Sequence, residues 1–289
     1  MDRFCVITNS DKDKEYRTAG YIKDYITDRG RSCVVTQDCT CLRQSGIRYT
    51  DIEEIPADTE CAIVLGGDGT FIQAASDLVH RDIPILGVNL GTLGFLAEIE
   101  RQSIDAALDA LFKGEYRTES RMMIRGCVES REETMVSSYA LNDIVINRSG
   151  LGHLTSVKLY VNKELIDTYI GDGIIVSTPT GSTGYNLSAG GPIMAPSIKA
   201  MVISPICPHS LNKRSLVVSS DDEVILKIGQ CKTNTEDEGV AIFDGRIASR
   251  MRTGDQIVIR RANVDTKVIK LFDTSFFEIL RNKLGREKE

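Results

Sequence analysis

Up to about residue 116 the chain alternates short apolar runs with helical patterns; after Arg117 the helical patterns nearly stop. This change of period limits the fold more than any other feature. Phe4–Thr8, Cys33–Thr36, Cys61–Leu65 and Ile83–Asn89 read as strands. Between them fall a helix with Ala19, Ile22 and Ile26 on one face, started by Ser10 or Asp11 and stopped at Gly30, and another over Thr70–Val79. A third, Ser103–Phe112, carries Ile104, Ala107, Leu108 and Leu111 on one face, with Gly114 beyond its end. Strand–helix alternation with short connections predicts a parallel sheet covered by helices.

The strand candidates beyond Arg117 are Met122–Val128, Tyr139–Asn147, Ser156–Val161, Leu165–Thr178, Met201–Ile203, Ser215–Val218, Glu223–Ile228, Val240–Phe243 and Gln256–Arg261. They predict a mostly antiparallel β domain. The chain closes on a helix within Leu271–Leu284, whose apolar residues are expected to return to the first domain. The expected fold class is therefore α/β followed by β. A Rossmann-like α/β domain spans 1–118 and is completed by 268–289; a β-rich, sandwich-like domain spans 119–267.

Hydrophobic residues make up 42% of the 289 and charged residues 26%, the balance of an ordinary soluble protein, with a net charge of −6. No basic face announces a nucleic-acid or membrane partner. Met1–Asn9 lacks the pattern of a signal peptide, and no apolar run approaches the roughly 20 residues needed to span a bilayer. The eight cysteines are scattered, with only Cys39 and Cys41 close together, so reduced thiols in a cytoplasmic protein are expected.

Two glycine-rich stretches carry the chemistry. "AIVLGGDGTF", Ala62–Phe71, runs from a strand into a helix, as a phosphate-binding loop does. It is neither a P-loop nor a complete dinucleotide fingerprint, because no Gly-Lys-Ser/Thr follows and Ile72 stands where a third glycine would. Asp68 lies among the glycines and would repel phosphate. Either it receives a hydrogen bond or proton from a substrate hydroxyl, or it faces a magnesium ion, or it stabilises the turn. The second stretch, "GDGIIVSTPTGSTGYNLSAGGPIM", Gly171–Met194, places hydroxyls and glycines after a buried strand, which suits ribose and phosphate oxygens. His80, His153 and His209 are too dispersed to suggest a metal cluster.

Taken together, Gly66–Thr70, Leu141-Asn142-Asp143 in "ALNDIVINR" and Asp172–Ile193 resemble the NAD kinase family, as do "NLGTLGFLAEI", Asn89–Ile99, and "FDGR", Phe243–Arg246. The resemblance runs from about Cys61 to Phe272. It implies an N-terminal α/β domain, a β-rich NAD-binding domain, and transfer of the ATP γ-phosphoryl to the 2′-hydroxyl of the adenosine ribose of NAD, with Mg2+. On this resemblance Asp68 is the catalytic aspartate, within a loop that includes Gly67, Gly69 and Thr70. Asn142 and Asp143 contact adenine and ribose; Thr183, Tyr185 and Ser188 contact the dinucleotide; Phe95 and Asp172 lie near the substrate; and Asp244 belongs to the late D-G segment. No residue is assigned as a metal ligand. The family usually has glutamate where Asp143 stands and often alanine where Gly184 stands. NAD and ATP are the implied partners, and a homodimer or homotetramer the implied assembly. A lipid or sugar kinase of the same superfamily, or a non-catalytic NAD(P) sensor, remains as an alternative.

Overall fold

The computed structural model describes residues 1–36, 50–91, 94–130, 135–150, 154–210, 212–231, 238–272 and 274–285; Cys39, Cys41 and His153 lie outside them. In chain order the elements are β1 (Arg3–Thr8), α1 (Arg17–Thr27), β2 (Ser32–Thr36), β3 (Cys61–Gly66), α2 (Asp68–Asp77), β4 (Ile85–Asn89), β5 (Ile99–Glu100) and α3 (Ile104–Lys113). Then come β6 (Arg117–Glu129), β7 (Val136–Ala140), β8 (Asp143–Arg148), β9 (Thr155–Val161), β10 (Glu164–Gly171), β11 (Gly173–Ser177) and α4 (Tyr185–Ser188). The chain continues through β12 (Ala200–Ile206), β13 (Leu216–Ser219), β14 (Val224–Ile228), β15 (Glu238–Phe243), β16 (Arg246–Arg252), β17 (Gln256–Lys270) and α5 (Phe276–Leu284). It divides into two compact units, Met1–Arg121 with Thr266–Glu289, and Met122–Asp265.

In the first unit β2, β1, β3 and β4 lie side by side, all parallel. Val268, near the end of β17, pairs in parallel with Ile85 of β4. Strands buried on both faces read as continuous apolar runs, and all six residues of β3 are buried. Phe4, Val6, Ile63, Leu65 and Leu86 of the sheet share one core with Ile22 and Ile26 of α1 and Leu108 and Leu111 of α3. Because β2 lies on one side of β1 and β3 on the other, a crevice opens at the carboxyl ends of β1 and β3, the usual ligand position in such sheets. Gly67 and Asp68 follow β3 directly into it.

The helix ends differ from the sequence expectation at three places. α1 begins at Arg17, and its cap is neither Ser10 nor Asp11: the buried Asp13 carboxylate accepts from the backbone N–H groups of Thr18 (2.8 Å) and Ala19 (3.0 Å). α2 starts at Asp68 rather than Thr70, with Gly67 in extended conformation before it. α5 starts only at Phe276, where Ser275 Oγ accepts from Glu278 N at 3.1 Å; the S-x-x-E spacing of a helix start is present in "SFFE".

The second unit is built from two antiparallel layers. One has β9 between β10 and β14, the first half of β17 beside β14, and β6 paired with both β17 and β7. The other runs β13-β12-β11-β8-β15-β16. Ile124, Leu159, Leu226 and Ile257 of the first layer share a core with Ile144, Ile146, Val176, Ile203 and Phe243 of the second.

Two expected strands are each broken in two. Tyr139–Asn147 is interrupted at Leu141–Asn142, and Leu165–Thr178 at Asp172, with Thr178 beyond the end of β11. At both breaks the chain leaves one layer for the other, and such corners require a bend. Glycines flank the second corner because backbone closes on it: a Cβ at Gly173 would stand 2.1 Å from the Ile146 carbonyl oxygen. Both corners carry residues singled out above as site candidates.

Candidate functional site

At the carboxyl end of β3 the glycines set the spacing. A Cβ at Gly66 would meet Thr70 Oγ1 at 2.4 Å, so Thr70 is buried against the strand end and is not open to a ligand. Gly67 has Lys12 beside it, with Nζ 3.1 Å from where its Cβ would be. Gly69 is exposed on the first turn of α2, where the N–H groups have no helical partner.

Asp68 is partly buried and does not cap its own helix. Its carboxylate reaches across to the segment after β4, accepting from Phe95 N (2.8 Å), Leu96 N (3.0 Å) and, at longer range, Ala97 N (3.5 Å). Gly94 makes this possible, since a Cβ there would lie 1.8 Å from Asp68 Oδ1. The two segments "GGDGT" and "LGFLA" are thus one construction, and Gly94 is a residue that the sequence reading passed over although it sits inside a quoted motif. An ionised carboxylate has about four lone-pair positions, so Asp68 retains room to accept from a ligand. The Phe95 ring lies 6.3 Å from that of Phe276, and Lys283 Nζ is 4.5 Å from its centroid.

In the second unit Asn142 and Asp143 stand at the corner where β8 begins. Asp244 holds that corner. It sits with Gly245 in a tight hairpin turn, both with positive φ (47° and 78°), the conformation for which Asp-Gly is suited. Its carboxylate accepts from the backbone N–H groups of Leu141 (2.7 Å), Asn142 (2.8 Å) and Asp143 (3.0 Å). With those three bonds made, Asp244 acts as the anchor of the Asn142 corner. Asn142 Oδ1 is buried with no hydrogen-bond partner, an uncompensated acceptor in the cradle. Asp143 is buried too, and burial, then the nearby Asp244 carboxylate, push its pKa up to about 7.

The hydroxyls after β11 are mostly spent within the protein. Thr178 Oγ1 donates to Leu141 O (2.6 Å) and accepts from Gly181 N (3.1 Å). Ser182 Oγ bonds Pro179 O and Met194 N, and Ser177 Oγ bonds Asn142 O. The fully buried Asn186 donates to Ser182 O and Pro192 O and accepts from Ser204 Oγ at 2.6 Å. These side chains shape the loop; among the proposed contacts, Tyr185 and Ser188 are exposed and Thr183 half-buried. Thr183 Oγ1 makes only a long bond to Thr180 O (3.4 Å). Nothing in the sequence signals Asn186, because only the fold shows that its side chain turns inward onto Ser182, Pro192 and Ser204. A Cβ at Gly184 would stand 3.3 Å from the Gly181 carbonyl oxygen and 3.5 Å from Asn142 Nδ2, a close fit without a clash.

Asp172, at the other corner, is ion-paired with Arg148 at 2.8 Å. Both line a pocket of about 360 Å³ together with Asn147, Tyr185 and Ile206. Lys213 is bound to Asp167, which holds that carboxyl below the usual range. Arg148 and Lys213 therefore already have carboxylate partners.

An α/β unit with a carboxylate in its glycine loop, and a β-rich unit presenting an Asn–Asp corner, define a phosphotransferase-like architecture. The description "ATP-NAD kinase N-terminal domain" matches residues 4–116 and "ATP-NAD kinase C-terminal domain" residues 141–271. The NAD kinase of Lachnoclostridium phytofermentans is 47% identical over 287 residues, covering 99% of each chain. That of Lachnospira eligens is 40% identical over 293 residues, covering 98% of this chain and 100% of its own. The yeast NADH kinase, solved with NADH, superposes with a TM-score of 0.86 at 20% identity, covering 100% of this chain and 89% of the other. The NAD kinase of Archaeoglobus fulgidus, solved with ATP, gives 0.76 at 20% identity, covering 98% of both. The chain belongs to the NAD kinase family.

Proposed function

We propose that this chain is an ATP-dependent NAD kinase, converting NAD to NADP by transferring the γ-phosphoryl of ATP to the 2′-hydroxyl of the adenosine ribose. The observation that carries the reading is the Asp68 carboxylate, oriented by three backbone N–H groups at the crevice after β3 while keeping acceptor capacity. A ribose hydroxyl is a poor nucleophile at neutral pH, and a fixed carboxylate orients it and takes its proton as the phosphoryl group transfers. The adenosine end is read by Asn142, whose unpartnered Oδ1 accepts from an adenine amino group, and by Asp143, which accepts from ribose hydroxyls. Thr183, Tyr185 and Ser188 supply further dinucleotide contacts, with Phe95 and Asp172 close to the substrate. Gly67 and Gly69 let donor phosphates approach the start of α2.

Among the described residues no group of three or more His, Cys, Asp or Glu converges on one point. Magnesium is commonly bound by one or two carboxylates plus substrate phosphates, so this donor set fits an ion that arrives with the nucleotide. Such an ion would offset the charge of the transferring phosphoryl group. We further propose a cytoplasmic homodimer or homotetramer; Cys5, Cys33, Cys61, Cys127, Cys207 and Cys231 are free thiols, as a reducing compartment requires. No helix among the described residues is long and apolar enough to cross a membrane.

The test is NADP formation from NAD and ATP with and without excess chelator. Turnover that stops on chelation is expected. Phosphorylation of a lipid or sugar with NAD untouched supports the superfamily alternative, and NAD binding without turnover supports a sensor.

A further inference from the structure

Lysine and glutamate are seldom fully buried unless they are paired. Glu98 and Lys270, 172 residues apart, meet inside the first unit: Lys270 Nζ donates to Glu98 Oε2 at 2.5 Å, and their side chains are 7% and 6% exposed. We infer that this pair is a positioning device for Asp68, a role that rests on the proposed catalytic function of that carboxylate. The pair fixes segment 94–98, whose backbone N–H groups aim Asp68.

Residues 94–98 belong to no helix or strand, so no ladder of backbone bonds holds them. Phe95 N and Leu96 N donate to Asp68. Ala97 packs on β4, where Gly87 makes room: a Cβ there would stand 2.7 Å from Ala97 Cα. Glu98 is engaged at both oxygens, Oε2 by Lys270 and Oε1 by Phe272 N at 3.3 Å. Lys270 is the last residue of β17, the strand whose Val268 pairs with Ile85 of β4. The returning chain is thus tied to the segment two residues beyond Leu96, and Phe276 and Lys283 of the same return approach the Phe95 ring. As a source of stability a buried ion pair is weak, because desolvation of the two charges offsets their attraction. What it adds is direction. A shift of the segment that parted the charges would leave each one buried and alone, so one placement of the segment is favoured over its neighbours. Asp68 takes its orientation from that placement, and displacing a reacting group by about 1 Å can cost about a hundredfold in rate.

The test is the double variant Glu98→Gln/Lys270→Met, which removes both charges, keeps an acceptor for Phe272 N and leaves no ion unpaired. Apolar replacement of a buried pair is often neutral for stability, so the melting temperature should stay near that of wild type. Hydrogen exchange of the full chain without substrates, read on peptides covering 94–98, should quicken about tenfold while β3 keeps its protection. In NADP formation kcat should fall about ten- to a hundredfold with the KM for NAD within about twofold, because Asn142 and Asp143 are untouched. Glu98→Asp, which keeps the charge and withdraws it by one methylene, should move both readouts the same way and replaces the double variant if that one does not fold. Unchanged exchange over 94–98 in a folded variant overturns the positioning role, whatever the enzyme turns over; so does a wild-type kcat, or a loss that falls on the KM for NAD alone. A wild type that makes no NADP removes the kinase reading, and exchange alone then decides whether the pair fixes the segment.

Discussion

Asp68 and Asp244 lie in different units and are held by the same device, a carboxylate accepting three backbone N–H groups from a segment distant in sequence. Their settings differ. Asp244 sits in a hairpin turn, its bonds are all 3.0 Å or shorter, and what it holds is the Asn142 corner. Asp68 begins a helix at the mouth of a parallel sheet, and its third bond is stretched to 3.5 Å. The number of bonds a carboxylate makes therefore does not separate an anchor from the proposed reactant; the two differ in the element each stands on. The backbone bonds of Asp68 leave the proposed catalytic role open beside the structural one, since one carboxylate can serve both.

Substitution of the two residues should break this symmetry. Asp68→Asn turns one oxygen into a donor facing a backbone N–H, so stability falls by about 1–3 kcal/mol. If Asp68 is the base, kcat per folded molecule also falls about 10²- to 10⁴-fold. Single-turnover kinetics beside thermal unfolding separate the two losses, and a destabilised mutant with normal turnover reduces Asp68 to an anchor. Asp244→Ala should cost about 2–4 kcal/mol by orphaning three N–H groups, and should raise the KM for NAD through the loosened corner. Unchanged NAD kinetics in that variant would separate the corner from the dinucleotide.

Asp143 sharpens the comparison, because it lacks the bonds its neighbour collects. With its pKa raised from 3.8 to about 7, the folded protein holds its proton more tightly than the unfolded chain does. Asp143 therefore costs nothing below about pH 4. The penalty grows as pH rises through the interval and is complete above about 7, on the order of 4 kcal/mol at most. Denaturant titrations of wild type and Asp143→Asn should diverge in that window, the mutant gaining relative stability as pH rises. If the ionised form accepts from ribose hydroxyls, the KM for NAD in wild type should fall through about pH 7, a step that Asp143→Asn lacks.

The smallest effect is expected at Gly184. A Cβ there meets Gly181 O at 3.3 Å and Asn142 Nδ2 at 3.5 Å, so Gly184→Ala should leave stability within about 0.5 kcal/mol and the KM for NAD within about twofold. Gly181→Ala, whose Cβ would press to 2.2 Å from Asn142 O, is the contrasting variant, and equal behaviour of the two would show that the loop is not packed on Asn142 as described.

Much of the secondary structure was legible because it rests on local period. The apolar faces of α1 and α3, the runs of β1 to β4, and Gly114 in the left-handed conformation after α3 all follow from neighbours within a few residues. The glycine loop was legible for the same reason. The cap of α1 was misjudged because Asp13 lies five and six residues from the N–H groups it serves.

Tertiary structure decided the rest. The apolar runs on either side of Leu141–Asn142 and of Asp172 read as single strands, and only the need to cross between two layers bends the chain there. The partners of Asp68 are 27 to 29 residues away and those of Asp244 are 101 to 103, so no window of sequence holds both ends of either cradle. The hydroxyl-rich loop read as a ligand surface, yet the fold turns Ser177, Thr178 and Ser182 inward. A buried hydroxyl must find a partner, and in the core the partner is backbone. Residue type and spacing thus determined which chemistry was available to this chain, while packing determined which of those groups remained free to use it.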